Sequence, residues 1–227
     1  KIPIYLQMKY LVTIGDSWSR GTTPETMKNN YSKFVSEELS LEDINLSMGG
    51  ASNNYIYRNF YKWVKNNPDK LDETLFIFGW TTIHRWELYD KVQNFWIKVT
   101  DGKIPNWDER PKYTDKKWWE SFVVHFLNNK NFVNEAEKIY FSTKCILDKY
   151  NLKYISFTPW SRILDLNNYF DNVIPHEITK HGYHGHGWED SKHIISEEDY
   201  HPNVEGHKFI SDVIINKIKN IYEDIRN

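Results

Sequence analysis

LVTIGDSWSRG, residues 11–21, runs from an apolar and β-branched stretch straight into Gly15, Asp16 and Ser17. A short apolar run cut off by glycine and polar residues reads as a buried strand with an abrupt end. Ser17 then has two readings. A sharp turn after a strand tolerates small polar residues, and a nucleophile also sits well there. The tripeptide does not separate them, because a working serine needs a base, an acid to orient that base and donors for an oxyanion, all supplied from elsewhere in the chain.

Working outward, short strand-like runs alternate with longer helical ones. YLVTI (10–14), INLS (44–47), TLFIF (74–78) and KYISFT (153–158) are the strand candidates. Between and after them, helical spacing places Tyr31, Phe34, Val35 and Leu39 on one face, and Ile56, Phe60, Trp63 and Val64 on another. Residues 131–150 repeat apolar side chains at helix spacing, and 204–225 reads as a long amphipathic helix closing the sheet. This alternation predicts an α/β layered domain with a largely parallel sheet. In such sheets, sites form in the crevice beyond the carboxyl ends of the strands. Residues 95–130 break the rhythm, with Pro, Gly, charges and Trp interleaved. They are expected to form an insertion over that edge, a candidate lid with a short helix over 116–127. The whole chain, 1–227, is read as one domain.

Composition narrows the function. The 227 residues suit a domain of moderate size with a real core. With 29 basic and 31 acidic residues, the chain lacks the positive footprint that phosphate backbones require, so nucleic acid is not the expected partner. The single cysteine, Cys145, excludes an intrachain disulfide framework and lies in an apolar-periodic segment, where it is expected as a core thiol. No run approaches the length of a membrane span, and the opening KIPIYLQMKY is too short and interrupted for a signal segment, so the chain reads as soluble with its compartment open. Ten Trp and 15 Tyr are unusual, and exposed rings among them would suit sugars or acyl chains, although large rings are more often core.

Two more strand ends and one late loop carry polar chemistry. NLSMGGASNN (45–54) places Gly49 and Gly50 before a helix, where a backbone N–H can approach an anion. FGWTTIHRWE (78–87) ends a strand at Gly79 and offers hydroxyls at Thr81 and Thr82. EEDYHPNVEGH (197–207) sets His201 after a run of carboxylates and before a helix.

The order GDS, then Gly-Ala-Ser-Asn, then a third-strand glycine, then Asp-x-His-Pro-Asn before a terminal helix resembles the SGNH/GDSL hydrolase family. The resemblance covers most of the chain except the Trp-rich insertion. It implies a three-layer α/β/α sandwich with a mainly parallel, flavodoxin-like sheet, a serine esterase activity and no cofactor. Ser17 matches the family nucleophile, and its N–H and that of Gly50 would hold the oxyanion. His201 matches the base, with Asp199 orienting it.

Two positions depart from the family pattern. Thr81 stands where the family has Asn, and the loss of an oxyanion donor costs about 3–4 kcal/mol of transition-state stabilisation. Either the Thr81 hydroxyl replaces it, or Asn53 or Asn54 reaches across. The family acid lies three residues before His, a position held here by Glu198. Asp199, two before, is preferred because its short side chain adjoins the turn.

The chemistry stands without the family name, since serine needs a hydrogen-bonded base and an imidazole can take and return that proton near neutral pH. His84 and Arg85, just past the third strand, are candidates to bind a substrate carboxylate or sugar hydroxyl, or to cap the next element. Trp18 and Trp80 either frame the pocket or pack in the core, and Trp107, Trp118 and Trp119 are candidate substrate platforms. His181, His184 and His186 lie in a glycine-rich loop, but their irregular spacing argues against a metal site, and none is expected. The expected substrate is a small-molecule or carbohydrate ester. An O-acyltransferase using the same residues, a non-catalytic carbohydrate-binding module and a metal-dependent hydrolase are the alternatives. The oligomeric state is left open.

Overall fold

The computed structural model describes residues 7–91, 94–100, 121, 125, 128–160, 164–175, 193–196 and 198–223. Four parallel strands form the main sheet: β1 (Tyr10–Gly15), β2 (Glu42–Asn45), β3 (Thr74–Gly79) and β6 (Lys153–Phe157), in the order β2-β1-β3-β6. A single parallel bridge from Ser156 to Val173 adds a vestige of a fifth position. The order reverses direction at β1, so the crevice between the ends of β1 and β3 is the switch point of the sheet.

Strand periodicity assigns the two faces. Leu11, Leu75, Ile77, Ile155 and Phe157 point to one side, against α3 (Tyr31–Leu39) and the terminal helix α6 (Val204–Glu223). Val12, Ile14, Phe76, Phe78 and Tyr154 point to the other, against α4 (Asn53–Asn66) and α5 (Asn129–Lys149). Tyr31, Val35 and Leu39 on α3 and Ile56, Phe60 and Val64 on α4 recur every four residues, as a buried helical stripe must. Asn30, Ser52 and Asn128 cap α3, α4 and α5 by accepting from backbone N–H groups in the first turn. Helices thus cover both faces, giving the three-layer α/β/α sandwich with a mainly parallel sheet.

Much of the aromatic content is core. Phe78 stacks on Trp80 at 5.4 Å, Trp80 on Phe170 at 5.5 Å, and Phe60 meets Phe76 and Phe78 edge-on at 5.2 and 5.0 Å. Such contacts contribute about 0.5–1.5 kcal/mol per pair beyond area burial.

Three expectations change. Residues 44–47 were expected as a strand, but regular pairing spans 42–45; Leu46 and Met48 still donate to the carbonyls of Thr13 and Gly15, carrying the chain along β1 to its end. Residues 95–100 form strand β5 (Phe95–Thr100), antiparallel to β4 (Arg85–Asp90). This hairpin was missed because RWELYD carries Arg85 and Glu87 where an ordinary buried strand face would carry apolar residues. Cys145 is exposed, not a core thiol: the inward stripe of α5 uses Ala136, Ile139, Tyr140, Thr143 and Leu147, which leaves Cys145 on the outer side. Residues 101–120 and 176–192 lie outside the described residues, and with them Trp107, Trp118, Trp119, His181, His184 and His186. Among the described residues no helix is long and apolar enough to cross a membrane.

Candidate active site

At the end of β1 the chain must turn down hard against the sheet. Gly15 and Gly79 are paired neighbours, and a β-carbon on either would lie 2.1 or 2.3 Å from the Ser19 hydroxyl oxygen. Only glycine lets the short helix α1 (Ser17–Arg20) sit this close, and the Tyr31 hydroxyl, donating to Ser19 Oγ at 2.7 Å, pins it there. Asp16 caps α1 through its Oδ1, which accepts from the Trp18 N–H. Ser17, the first helical residue, is 7 % exposed and faces the crevice at the switch point.

The late loop arrives there from the other end of the sequence. Ser196 Oγ accepts from the N–H groups of Glu198 and Asp199, Ile194 bridges Pro202, and the Asn203 side chain accepts from the Gly206 N–H at the start of α6. This local scaffold presents His201 with Nε2 2.8 Å from Ser17 Oγ and Nδ1 2.5 Å from Asp199 Oδ1. A carboxylate can only accept, so Nδ1 carries the proton in the neutral ring and Nε2 is left to accept from the serine hydroxyl. Burial tends to raise the Asp199 carboxyl, but the hydrogen bonds from the His201 ring and backbone, with the ring's charge, outweigh it and hold it below the ordinary value. Asp199 is the acid on the ring, and Glu198 is exposed. Trp18 is buried with its ring 6.0 Å from that of His201, forming a wall of the site.

Behind the serine lies a polar cluster. Asp16 is fully buried, and its Oδ2 accepts from the Thr81 hydroxyl at 2.9 Å, Arg85 Nη1 at 2.7 Å and the Trp160 indole N–H at 2.9 Å. Arg85 also donates to Thr81 Oγ1 at 2.7 Å and lies over the Trp160 ring at 4.6 Å. Left alone, a buried carboxylate next to the nucleophile would oppose any negative charge developing there. The guanidinium cancels it.

The hydrogen bonds here bear on residues whose roles the sequence left open between alternatives. The Thr81 hydroxyl has one proton, and because arginine only donates, that proton goes to Asp16 and none remains for an oxyanion. Asn53 is equally occupied: its Oδ1 accepts the Thr81 N–H at 3.0 Å and its Nδ2 donates to the Thr81 carbonyl at 3.1 Å and to the Tyr140 hydroxyl at 3.4 Å, tying the start of α4 to the exit of β3. Arg85 spends its Nη1 on Asp16 and Thr81, the balancing role rather than the substrate-binding one. Trp80 does not frame the pocket, since it is fully buried with its N–H donating to Ser156 Oγ at 2.7 Å. His84 turns to Thr82 and packs on Phe132.

Gly50 adopts φ +67°, a conformation that favours glycine, and its turn is delivered to the crevice by the Met48–Gly15 hydrogen bond. Two contributors escaped the sequence reading. Trp160 follows β6 in TPW, at the carboxyl end of a parallel strand, and that position is the signal for it. Lys98, on β5, donates to the Gly49 carbonyl at 2.5 Å; with its strand unrecognised, nothing in the local sequence signalled it.

No family model matches the sequence, and no curated protein matches it. Solved structures do match. A hydrolase from the metagenome of Lake Arreo, Spain, described as an α/β hydrolase, superposes with a TM-score of 0.52 at 12 % identity, covering 95 % of this chain and 97 % of its own. TesA gives 0.51 at 9 % identity over 94 % of this chain and 99 % of its own. The acetyl xylan esterase AlAXEase gives 0.50 at 15 % identity, over 91 % and 98 %. At such identities the likeness is one of fold.

Proposed function

We propose that this chain, which has the fold of the SGNH/GDSL hydrolases, is a serine-dependent hydrolase of carboxylic esters. One observation carries the reading: the 2.8 Å approach of His201 Nε2 to Ser17 Oγ, with Nδ1 held by Asp199. Ser17 Oγ attacks the ester carbonyl carbon while its proton passes to His201 Nε2. The carbonyl oxygen becomes an oxyanion within reach of the N–H groups of Ser17 and Gly50. Collapse breaks the bond to the alcohol oxygen, which leaves with the proton from His201. Water then attacks the acyl-enzyme, again giving its proton to His201, and the acid is released with Ser17 restored.

With the Thr81 hydroxyl and Asn53 committed elsewhere, the reading relies on the backbone N–H groups of Ser17 and Gly50, with Asn54 the remaining side-chain candidate for the oxyanion. The similarity to an acetyl xylan esterase, together with the aromatic content, supports a short acyl group on a carbohydrate as the substrate class.

Labelling with a fluorophosphonate, followed by mapping of the adduct by mass spectrometry, tests the reading directly. The adduct is expected on Ser17, and Ser17→Ala is expected to lose both label and hydrolysis of 4-nitrophenyl acetate. Hydrolysis that survives the substitution would overturn Ser17 as the nucleophile, and an unlabelled and inactive wild type would overturn the reading and favour the non-catalytic binding module. Adding a sugar acceptor and identifying the product separates hydrolase from acyltransferase.

A further inference from the structure

The Gly49–Gly50 turn, beside the nucleophile, carries more positive charge than the described residues around it balance. Four cations gather there: Arg20, Arg58, Arg85 and Lys98. Among the described residues, two carboxylates answer them. Asp16 takes Arg85 at 2.7 Å and Glu87 takes Arg58 at 2.6 Å. Arg20 and Lys98 are left over. Lys98 spends a proton on the Gly49 carbonyl, not on a carboxylate. Arg20 lies one turn along α1 from Ser17, on the same side of that helix, is exposed, and has no ion pair among the described residues.

Both head groups crowd the turn. A β-carbon on Gly49 would lie 3.7 Å from Arg20 Nη1, and one on Gly50 would lie 3.8 Å from Lys98 Nζ. Lys98 is half-buried, and burial, with Arg85 and Arg20 nearby, lowers its pKa against the opposing pull of Glu87. Like charges held together at a cost, in a chain whose net charge is −2, are the mark of a place built to receive an anion.

We propose that the substrate carries an anionic group (a carboxylate, sulfate or phosphate) held between Arg20 and Lys98 at the Gly49–Gly50 turn while its ester meets Ser17. The inference rests on the esterase reading for the chemistry but not for the binding. Coming from the nucleophile's own helix and from β5, the two cations would set which esters enter, and Gly50 would remain free to donate its N–H.

Paired esters test it. On the acyl side, 4-nitrophenyl hemisuccinate is compared with 4-nitrophenyl pentanoate. On the alcohol side, acetylated methyl glucuronoside and acetylated methyl glucoside 6-sulfate are each compared with acetylated methyl glucoside. The expected result is a preference in kcat/KM of about tenfold or more for the anion in at least one pair. It should fall towards unity in Arg20→Gln/Lys98→Gln and in about 0.5 M salt, and be retained in Lys98→Arg. Equal or better turnover of the neutral partner in every pair overturns the proposal and leaves the esterase reading standing. Calorimetric titration of Ser17→Ala with the glucuronoside and the neutral glucoside reads binding apart from chemistry. Where wild type takes no fluorophosphonate label and turns over no ester, this titration alone decides: preference for the anion supports the proposal, and no preference overturns it.

Discussion

At the scale of single residues, the site depends on which partner each polar atom has already taken. Thr81 and Asn53 look like oxyanion donors by position, yet their side-chain hydrogens are committed to Asp16, to the Thr81 carbonyl and to the Tyr140 hydroxyl. Asp199 and Glu198 look interchangeable by spacing, yet one accepts from His201 Nδ1 and the other faces solvent. Asp199→Asn is therefore expected to lower kcat on the order of 10³–10⁴-fold by disturbing the tautomer and orientation of the ring. Glu198→Gln should change it by less than about twofold, as surface substitutions do. Steady-state rates on an aryl acetate decide between them, and the reverse ranking would make Glu198 the acid.

At the scale of elements, the β4–β5 hairpin is anchored by charge. Arg85 enters the polar cluster behind Ser17, and Glu87 binds Arg58 on α4. Arg85 and Asp16 have side chains 15 % and 0 % exposed, so removing one leaves the other buried and unpaired. Arg85→Met should cost roughly 3–5 kcal/mol of stability. Asp16→Asn added to it should recover part of that loss, because the orphaned charge is gone. Urea unfolding of the two single variants and the double measures this coupling. Additive losses would mean that the pair does not act as a unit.

For the molecule as a whole, the second histidine of HPNVEGH gives acid sensitivity a definite window. His207 is fully buried on α6 with neither ring nitrogen hydrogen-bonded among the described residues, and burial, helped by the charge on His201, holds its pKa down to about 4. Between about 6.5 and 4 the unfolded chain takes up a proton that the native state refuses, so stability falls as pH falls through that window, by about 3 kcal/mol at its foot. Asp199 is also held below its ordinary value and so also costs stability as pH falls, but from the ordinary carboxylate value downward, below most of the His207 window, so the two effects separate by pH. The loss of unfolding free energy between about pH 7 and pH 4.5 should be smaller in His207→Leu than in wild type. An equal loss in both would show that the buried imidazole is not the sensor.

The layered α/β class, the buried strand before Ser17, the four central strands and the amphipathic helices were legible in the sequence, because each rests on local periodicity and on punctuation by Gly, Ser and Asn. The order GDS, Gly-Ala-Ser-Asn and His-Pro-Asn was legible as well, since those residues serve local turns and caps. What only the tertiary structure decided is which side chains remain available at the site. Arg85 neutralises Asp16 from 69 positions away and Trp160 reaches it from 144, a closure that no local window contains. A charged face on β4 hid its strand for the same reason. Its partners, Asp16 and Arg58, come from distant segments, and until they are in place the pattern looks like a solvated loop.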